Sequence, residues 1–397
     1  MYDIETILDY VKEEDIKFIR CAFVDIYGKP KNVSIMPHEL EKAFKYGIAI
    51  DARAIDGFNS GYKSDLFLFP NPDTITILPW RPREGRVIRM FCDIKYPDGT
   101  LFEADTRKLL ENAVSYAKEN GVEFKFGSEI EFYLFKADED GENTNIPYDK
   151  AGYMDMAPDD KGENIRREIC LMLEEMEILP VSSHHEEGPG QNEIAFRYSN
   201  PLSAADMATT FKTVVKMVAS RNGLYASFEP KPILDMPGNG YHVNFSVNNN
   251  YLDYAIEGVL RHIKEITAFL NISSKSYERL GKLMAPKYIS WSKENRSELI
   301  RIPAAKDDYV RAELRSPDPL MNPYLAFSLI IYAGVDGILN KYNLRDSVDA
   351  DLNKADESLL KRLDKLPADL NEAKAIAKES LFIKKYIPKS ILDNYLK

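Results

Sequence analysis

Apolar residues recur at period two through Ile16, Phe18, Ala22, Val24 and Ile26, among β-branched and aromatic neighbours, until Tyr27-Gly28-Lys29-Pro30 interrupts them. Such alternation puts the apolar side chains on one face of an extended chain, so IKFIRCAFVDIYGKPKNVSI reads as two strands around a turn. A short helix, HELEKAFKYG, follows and ends at Gly47. TITILPW and RVIRMFCDIKY return to strand patterning, and Tyr96-Pro97-Asp98-Gly99 is a strong turn signal. A boundary near residue 101 is therefore expected, with a first domain over 1–101 and a second over 102–397.

Beyond it, helical and strand patterns interleave. TRKLLENAVSYAKENG reads as a helix stopped by Gly121, FKFGSEIEFYLF as a strand, and NIRREICLMLEEM as an amphipathic helix. ILPVSSHHEE, NEIAFRY and YHVNFSV read as further strands. ADMATTFKTVVKMVASRNG, YAIEGVLRHIKEITAFL and NPYLAFSLIIYAGVDGILNKY read as long helices, and the charged tail from about Asp351 is helical in pattern. Strands interleaved with helices imply an α/β or α+β catalytic domain. There is no internal repeat.

Composition narrows the function. At 397 residues, 44% hydrophobic and 29% charged, the chain has ample material for a large core. A net charge of −11 with no basic run excludes an ordinary nucleic-acid-binding surface. The three cysteines, Cys21, Cys92 and Cys170, are scattered and odd in number, so neither a disulfide framework nor a cysteine metal site is implied. The N-terminus lacks an apolar signal core, and YLAFSLIIYAG stops short of membrane-spanning length. A reduced, cytoplasmic protein is expected, with neither nucleic acid nor membrane as partner.

The chemistry lies in acidic residues on strands. Glu129 and Glu131 are two apart in GSEIEF, hence on one face. Two desolvated carboxylates side by side repel, and a divalent cation relieves that repulsion; alone, a solvated strand face also accounts for the pair. SSHHEEGPGQNEIAF holds His184, His185, Glu186 and Glu193 around a Gly-Pro-Gly turn that can bring Glu186 near Glu193. His242 opens a strand after a glycine turn, and Glu313 is flanked by Arg311 and Arg315 on one face. For these the plain readings are a hydrogen-bonded core histidine and a surface ion-pair ladder. Five Glu and one His suit Mg²⁺ or Mn²⁺ better than zinc or iron, and suffice for two ions, a device for phosphoryl transfer. Arg279, Arg296, Arg301 and Arg311 supply a matching anion site. A P-loop, a Rossmann glycine fingerprint and a nucleophile elbow are all absent.

These segments together resemble the type I glutamine synthetases over nearly the whole chain. The match runs from FVDIYGKPKNV through GSEIEFYLF, GENIRREICLMLEEM, SSHHEEGPGQNEIAFRY, GLYASFEPKP and NGYHVNFS to NRSELIRIPA and RAELRSPDPLMNPYLAF. The resemblance implies an α+β protein: a small N-terminal β-grasp domain and a catalytic domain with a curved antiparallel sheet flanked by helices. It implies a homo-oligomeric ring, a hexamer or dodecamer, with sites shared between neighbours. By motif position Glu131, Glu186 and Glu193 match the ligands of one metal, and Glu129, His242 and Glu313 those of the other. Arg296, Arg301 and Arg311 match phosphate contacts of ATP, and Tyr198 and Ser246 its nucleoside contacts. Arg279, Arg315, Gly238 and Tyr153 match substrate-binding positions. Asp51 matches the aspartate donated across the interface that deprotonates ammonium, and Asp51 and Arg296 are the expected catalytic residues. The implied reaction phosphorylates the γ-carboxylate of glutamate with ATP and then transfers the acyl group to an amine.

Three departures from the family pattern surround the acceptor. The flap usually written RLVPGYEAP is RLGKLMAP, from Arg279 to Pro286, with Met284 in place of the flap glutamate. DGSSI is DARAI, so Arg53 and Ala54 replace two serines; Arg53 either faces solvent or pairs with Asp56. NGSGMH is PGNGYH, with Pro237 for a glutamate-contacting asparagine. A small cation needs a compact cage of acceptors, and Met284 offers an apolar, adaptable wall instead. The expectation is a kept first half-reaction with a changed amine, giving γ-glutamyl amides. The alternatives are a true glutamine synthetase using ammonium, a silent scaffold or sensor, and a guanidino kinase. The first keeps the ammonium chemistry, the second conflicts with an intact ligand set, and the third with the Asp51 loop.

Overall fold

The computed structural model describes residues 3–58, 64–81, 84–305 and 310–397. The N-terminal part contains α1 (Ile4–Glu13), β1 (Ile16–Val24), β2 (Pro30–Ile35), α2 (Leu40–Tyr46), β3 (Ile48–Asp51), β4 (Asp65–Pro70), β5 (Thr76–Ile77) and β6 (Arg86–Lys95). Among the described residues these strands form a six-stranded sheet in the order β2-β1-β6-β4-β3, with β5 also on β6. β1 runs parallel to β6, and its pairing shifts register between Ile16 and Phe18. That irregularity breaks the expected alternation: Ile16 and Ile19 are buried, whereas Phe18 is 48% exposed.

The catalytic part follows with α3 (Thr106–Glu119), β7 (Phe124–Ala137), β8 (Asn143–Pro147), α4 (Glu163–Glu175), β9 (Pro180–His185), β10 (Gln191–Phe196), α5 (Pro201–Arg221), β11 (Leu224–Ser227) and β12 (Tyr241–Val247). Next come α6 (Leu252–Leu270), α7 (Ser274–Arg279), β13 (Trp291–Lys293), β14 (Ile300–Ile302), β15 (Ala312–Leu314) and α8 (Pro323–Leu339). The tail holds α9 (Glu357–Leu360), α10 (Leu370–Glu379), α11 (Leu381–Tyr386) and α12 (Lys389–Tyr395). The catalytic sheet has nine strands in the order β13-β14-β15-β12-β7-β10-β9, with β8 and β11 on the far end of β7. Its pairs are antiparallel except β13 with β14.

Helices cover one face of this sheet. α8 is apolar all round and buried along nearly its whole length, as a central helix must be. It lies against α6 where Gly258 meets Gly337: a Cβ on Gly258 would stand 2.2 Å from the Ala333 carbonyl oxygen, so only glycine allows the approach. No helix among the described residues is long and apolar enough to cross a membrane. Asn322 caps α8, accepting from Tyr324 N–H at 3.0 Å, and donates to the Ile26 carbonyl at 2.9 Å. The turn between β1 and β2 is thereby tied to the helical core. Asp105 ties the parts together again, capping α3 while accepting from Ile94 N–H of β6 at 3.0 Å.

Candidate active site

β7 sits at the centre of the catalytic sheet, paired with β12 on one side and β10 on the other, which decides where the acids go. Glu129 lies opposite His242, and Glu131 opposite Glu193, so strand register alone gathers four of the expected residues. Glu313 on β15 joins them because β15 pairs with β12 and β14. The hairpin of β9 and β10 turns at Gly188-Pro189-Gly190 and returns Glu186 to Glu193, as the sequence predicts.

The ligand atoms fall into three overlapping groups, each within 4.8 Å: Glu129, His242 and Glu313; Glu131, Glu193 and His242; and His184, Glu186 and Glu193. The first is the trio expected from the motifs. The second expected trio is distributed over the other two groups, sharing Glu193. His184 is an addition: its Nε2 lies 2.8 Å from Glu186 Oε1. It sits in the quoted SSHHEE segment, two residues from Glu186, a spacing that could have flagged it.

The electrostatics suit a divalent cation. Burial pushes the Glu193 carboxyl well up, reinforced by Glu129, Glu131, Glu186 and Glu313. Among the described residues no hydrogen bond to that carboxyl is found. Burial also raises Glu131, although its Oε2 accepts from Gly240 N–H at 2.8 Å and Gln191 Nε2 at 3.0 Å. Glu313 behaves oppositely: burial would raise it, but Arg315, His242 and Arg301 outweigh that and hold it at about 2. Space is reserved as well. A Cβ on Gly240 would lie 2.7 Å from His242 Nε2 and 3.2 Å from Glu131 Oε1. Five clustered carboxylates with one or two imidazoles, one carboxylate uncompensated, are a donor set suited to divalent ions.

A cavity of about 580 Å³ opens on this cluster. Arg279, Arg296, Arg301, Arg311, Arg315, Gly238 and Tyr153 all line it, as do Met154, Lys282, Leu283 and Met284, which the sequence reading mostly left without a role. The arginines differ in freedom. Arg315 and Arg301 (2.8 Å) are both spent on Glu313. Arg279 donates to the backbone carbonyls of Ser316 and Arg315 at 2.8 and 3.1 Å. Arg311 donates to Asn244 Oδ1 at 3.1 Å, and Asn244 donates on to Glu129 at 3.0 Å, a bridge that the spacing of Asn244 two residues from His242 could have suggested. The flap is a closed turn, with Ala285 N–H donating to Lys282 and Gly281 N–H to Ala285, and Met284 is 40% exposed beside the cavity.

Three expected residues stand apart. Ser246 lies on the same face of β12 as His242, about 13 Å along at ~3.3 Å per residue, and lines a second cavity of about 770 Å³ with Lys125 and Asn200. Tyr198 packs its ring over Gly127, where a Cβ would meet it at 2.8 Å; its buried hydroxyl faces Arg311, and burial raises its pKa although Arg311 opposes the rise. Asp51, at the end of β3, is exposed and lines neither cavity. Its carboxylate is held by Arg53, so Arg53 pairs with Asp51, not with Asp56. The two are neighbours across a single 3₁₀ turn, which is shorter than the reach to Asp56 that the sequence suggested.

Comparison with known proteins places this geometry. The family model described as glutamine synthetase, beta-Grasp domain, matches residues 15–97, and that described as glutamine synthetase, catalytic domain, matches residues 103–397. A glutamine synthetase of Clostridium saccharobutylicum is 44% identical over 100% of this chain and 94% of its own length. One of Methanosarcina mazei is 42% identical over 99% of this chain and 92% of its own. A solved structure titled as a GmaS/ADP complex superposes with a TM-score of 0.89 at 26% identity, covering 100% of this chain and 94% of that one. The Plasmodium falciparum glutamine synthetase, solved by cryo-EM, shares the fold with a TM-score of 0.87 at 21% identity over 100% and 95% of the two chains. Matched in both of its parts, the chain belongs to the glutamine synthetase family and is an ATP-dependent ligase that joins a carboxylate to an amine.

Proposed function

We propose that this enzyme makes γ-glutamyl amides from glutamate, ATP and a primary amine larger than ammonia. The observation that carries the reading is the wall of the 580 Å³ cavity, where Met284, Leu283, Met154 and Pro237 stand beside the acidic cluster. An ammonium ion gains nothing from such a wall, whereas each methylene of a substituent buried against it contributes about 0.8 kcal/mol.

In this reading Arg279 holds the carboxylates of glutamate, with Arg315, Gly238 and Tyr153 shaping the rest of that subsite. Arg296, the least engaged of the lining arginines, stabilises charge on the transferred phosphoryl oxygens together with Arg301 and Arg311. Ser246 and Tyr198 hold the nucleoside; the run of β12 from His242 to Ser246 suits the length of ATP. Divalent ions held by Glu129, His242 and Glu313 and by Glu131, Glu186 and Glu193, read as Mg²⁺ or Mn²⁺ from the oxygen-rich set, neutralise the phosphates when bound. The γ-carboxylate of glutamate displaces ADP to give γ-glutamyl phosphate, and the amine then displaces phosphate. Asp51, supplied by a neighbouring subunit in a ring of six or twelve, removes a proton from the incoming ammonium group. The small and catalytic domains meet at residue 101, and three unpaired cysteines suit a cytoplasmic enzyme.

Ordinary glutamine synthesis is the second reading, favoured by the names of the relatives at 44% and 42% identity. Phosphate release with glutamate, ATP and a panel of amines separates the two. The expected result is kcat/KM for ammonium at least ten-fold below that for the best primary amine; ammonium outrunning every amine would establish glutamine synthesis.

A further inference from the structure

Another, much smaller cavity of about 80 Å³ lies at the joint between the small sheet and α5. Arg20 of β1, Lys31 of β2 and Arg89 of β6 line it from one side with Trp80, and Thr209 and Thr210 of α5 from the other. None of the described lining residues is acidic. The nearest acid to influence Arg89, Asp206, is already taken: Arg107 grips it with two hydrogen bonds of 3.0 Å, and the Tyr324 hydroxyl donates to it at 2.7 Å.

Polar groups here are left unused. The Trp80 indole N–H and the Arg89 Nε–H are buried and find no acceptor among the described residues. The Thr209 hydroxyl, on a residue only 2% exposed, lies towards the Tyr324 hydroxyl but makes no well-formed hydrogen bond among the described residues. Arg89 is otherwise fixed, donating from Nη1 to Thr210 Oγ1 at 2.7 Å with its guanidinium over the Phe91 ring, 4.1 Å from the centroid. Native proteins rarely leave buried donors unpaired, and three orphans around one cavity call for an occupant. Burial holds the Arg89 guanidinium down to about 10, so it remains charged at neutral pH.

We propose that this joint is a binding site for a small oxyanion, a phosphate or a carboxylate. The cavity has room for one ion of that size and not for a nucleotide. Arg20 and Arg89 supply charge, and Trp80 and Thr209 supply donors, so one ion would be held from both sides of the joint. The site is separate from the 580 Å³ cavity and shares no lining residue with it. It therefore stands whichever amine the enzyme uses.

Trp80 is one of two tryptophans, so Trp291→Phe leaves it as the sole emitter. The intact oligomer of this variant is titrated with inorganic phosphate and, separately, with acetate, at constant ionic strength set by chloride. The expected result is a saturable change in Trp80 emission whose midpoint rises at least ten-fold on adding Arg20→Met, and several-fold on adding Thr209→Val. Response to phosphate alone, or at a lower midpoint than acetate, assigns a tetrahedral oxyanion; response to acetate at the lower midpoint assigns a carboxylate. No saturable response to either ion, or one that both substitutions leave unmoved, overturns the proposal.

Discussion

Arg53 grips the carboxylate of Asp51 through two side-chain hydrogen bonds of 3.1 Å, and its backbone N–H adds a third at 3.0 Å. These bonds hold the Asp51 carboxyl below the usual range. A carboxylate held down is a weaker base, so Arg53 moderates the group proposed to deprotonate the acceptor. Replacing Arg53 with Ser lets the Asp51 pKa rise. Since the base must be unprotonated, the acid limb of kcat/KM against pH is expected to move to higher pH. A pH–rate profile of Arg53→Ser that overlies the parent would separate Asp51 from the chemistry.

The acidic cluster sets stability and activity against each other. Glu193 is buried among four other carboxylates, and its charge is opposed by all of them. Glu193→Gln is expected to stabilise the protein in EDTA by about 1 kcal/mol, the scale of a typical single-substitution effect, by relieving repulsion. The same change removes a ligand, so the rise in Tm on adding Mg²⁺ or Mn²⁺ shrinks and turnover falls at least a hundred-fold. Thermal melts with and without the ion, read beside ring size, test both halves. Glu131→Ala is expected to abolish turnover while the oligomer stays intact.

The flap offers a direct exchange of acceptors. Met284 lines the cavity at 40% exposure, so an acidic side chain of similar length there meets solvent and substrate without a buried clash. A charged hydrogen bond to ammonium is worth about 1.5–3 kcal/mol, or roughly one to two decades in affinity. Met284→Glu is expected to raise kcat/KM for ammonium by about ten-fold or more and to lower it for an apolar amine. Initial rates with both acceptors decide the matter; a variant weaker on both would mean that Met284 shapes the fold of the flap and not its choice of amine.

A pH dependence of stability is expected far from the site. His262 of α6 bonds Glu265 at 2.5 Å and Asp336 of α8 at 3.0 Å. Burial alone would lower its pKa, but the two carboxylates outweigh that and raise it. A histidine raised in the folded state contributes its full stability below the unfolded pKa of about 6.5 and loses it as pH climbs through the higher folded value. His262→Asn should therefore cost about 1–3 kcal/mol at pH 6 and distinctly less at pH 9, read from urea midpoints. An equal cost at both values would show that the ring acts through its stacking on Phe382 instead.

Much of the site was legible because strands have period two. Glu129 with Glu131, and His242 with Ser246, declare their shared faces by spacing alone. What spacing cannot convey is which strands become neighbours; that Glu131 faces Glu193 is a fact of pairing across sixty residues, and it came from the family resemblance. Short elements were the other loss. β3 is four residues long with no side chain fully buried, and β4 is six long, runs too short to stand out from loops, and α1 was passed over among charged residues although Ile7 and Val11 are buried one turn apart. Arg53 is largely exposed, as one of its two expected placements had it, but its pairing with Asp51 was missed because a 3₁₀ turn brings residues two apart into contact, a local geometry invisible to strand or helix periodicity.

Asn322 reaches from the cap of α8 to the Ile26 carbonyl, and Gly28 lies so close that a Cβ would sit 2.9 Å from the Asn322 Cα. This contact makes the start of the chain's most buried helix depend on a turn almost three hundred residues earlier. A polypeptide emerging in order must hold that turn in waiting until the helix is made. The small sheet, separable by its sequence, is then inseparable in the act of folding. Cut away from residues 103–397, it would lose the seat of its first hairpin, and the helical core would lose the lid over its leading end. Unfolding in one transition, rather than in the independent steps usual for chains of several parts, is the outcome expected from this coupling.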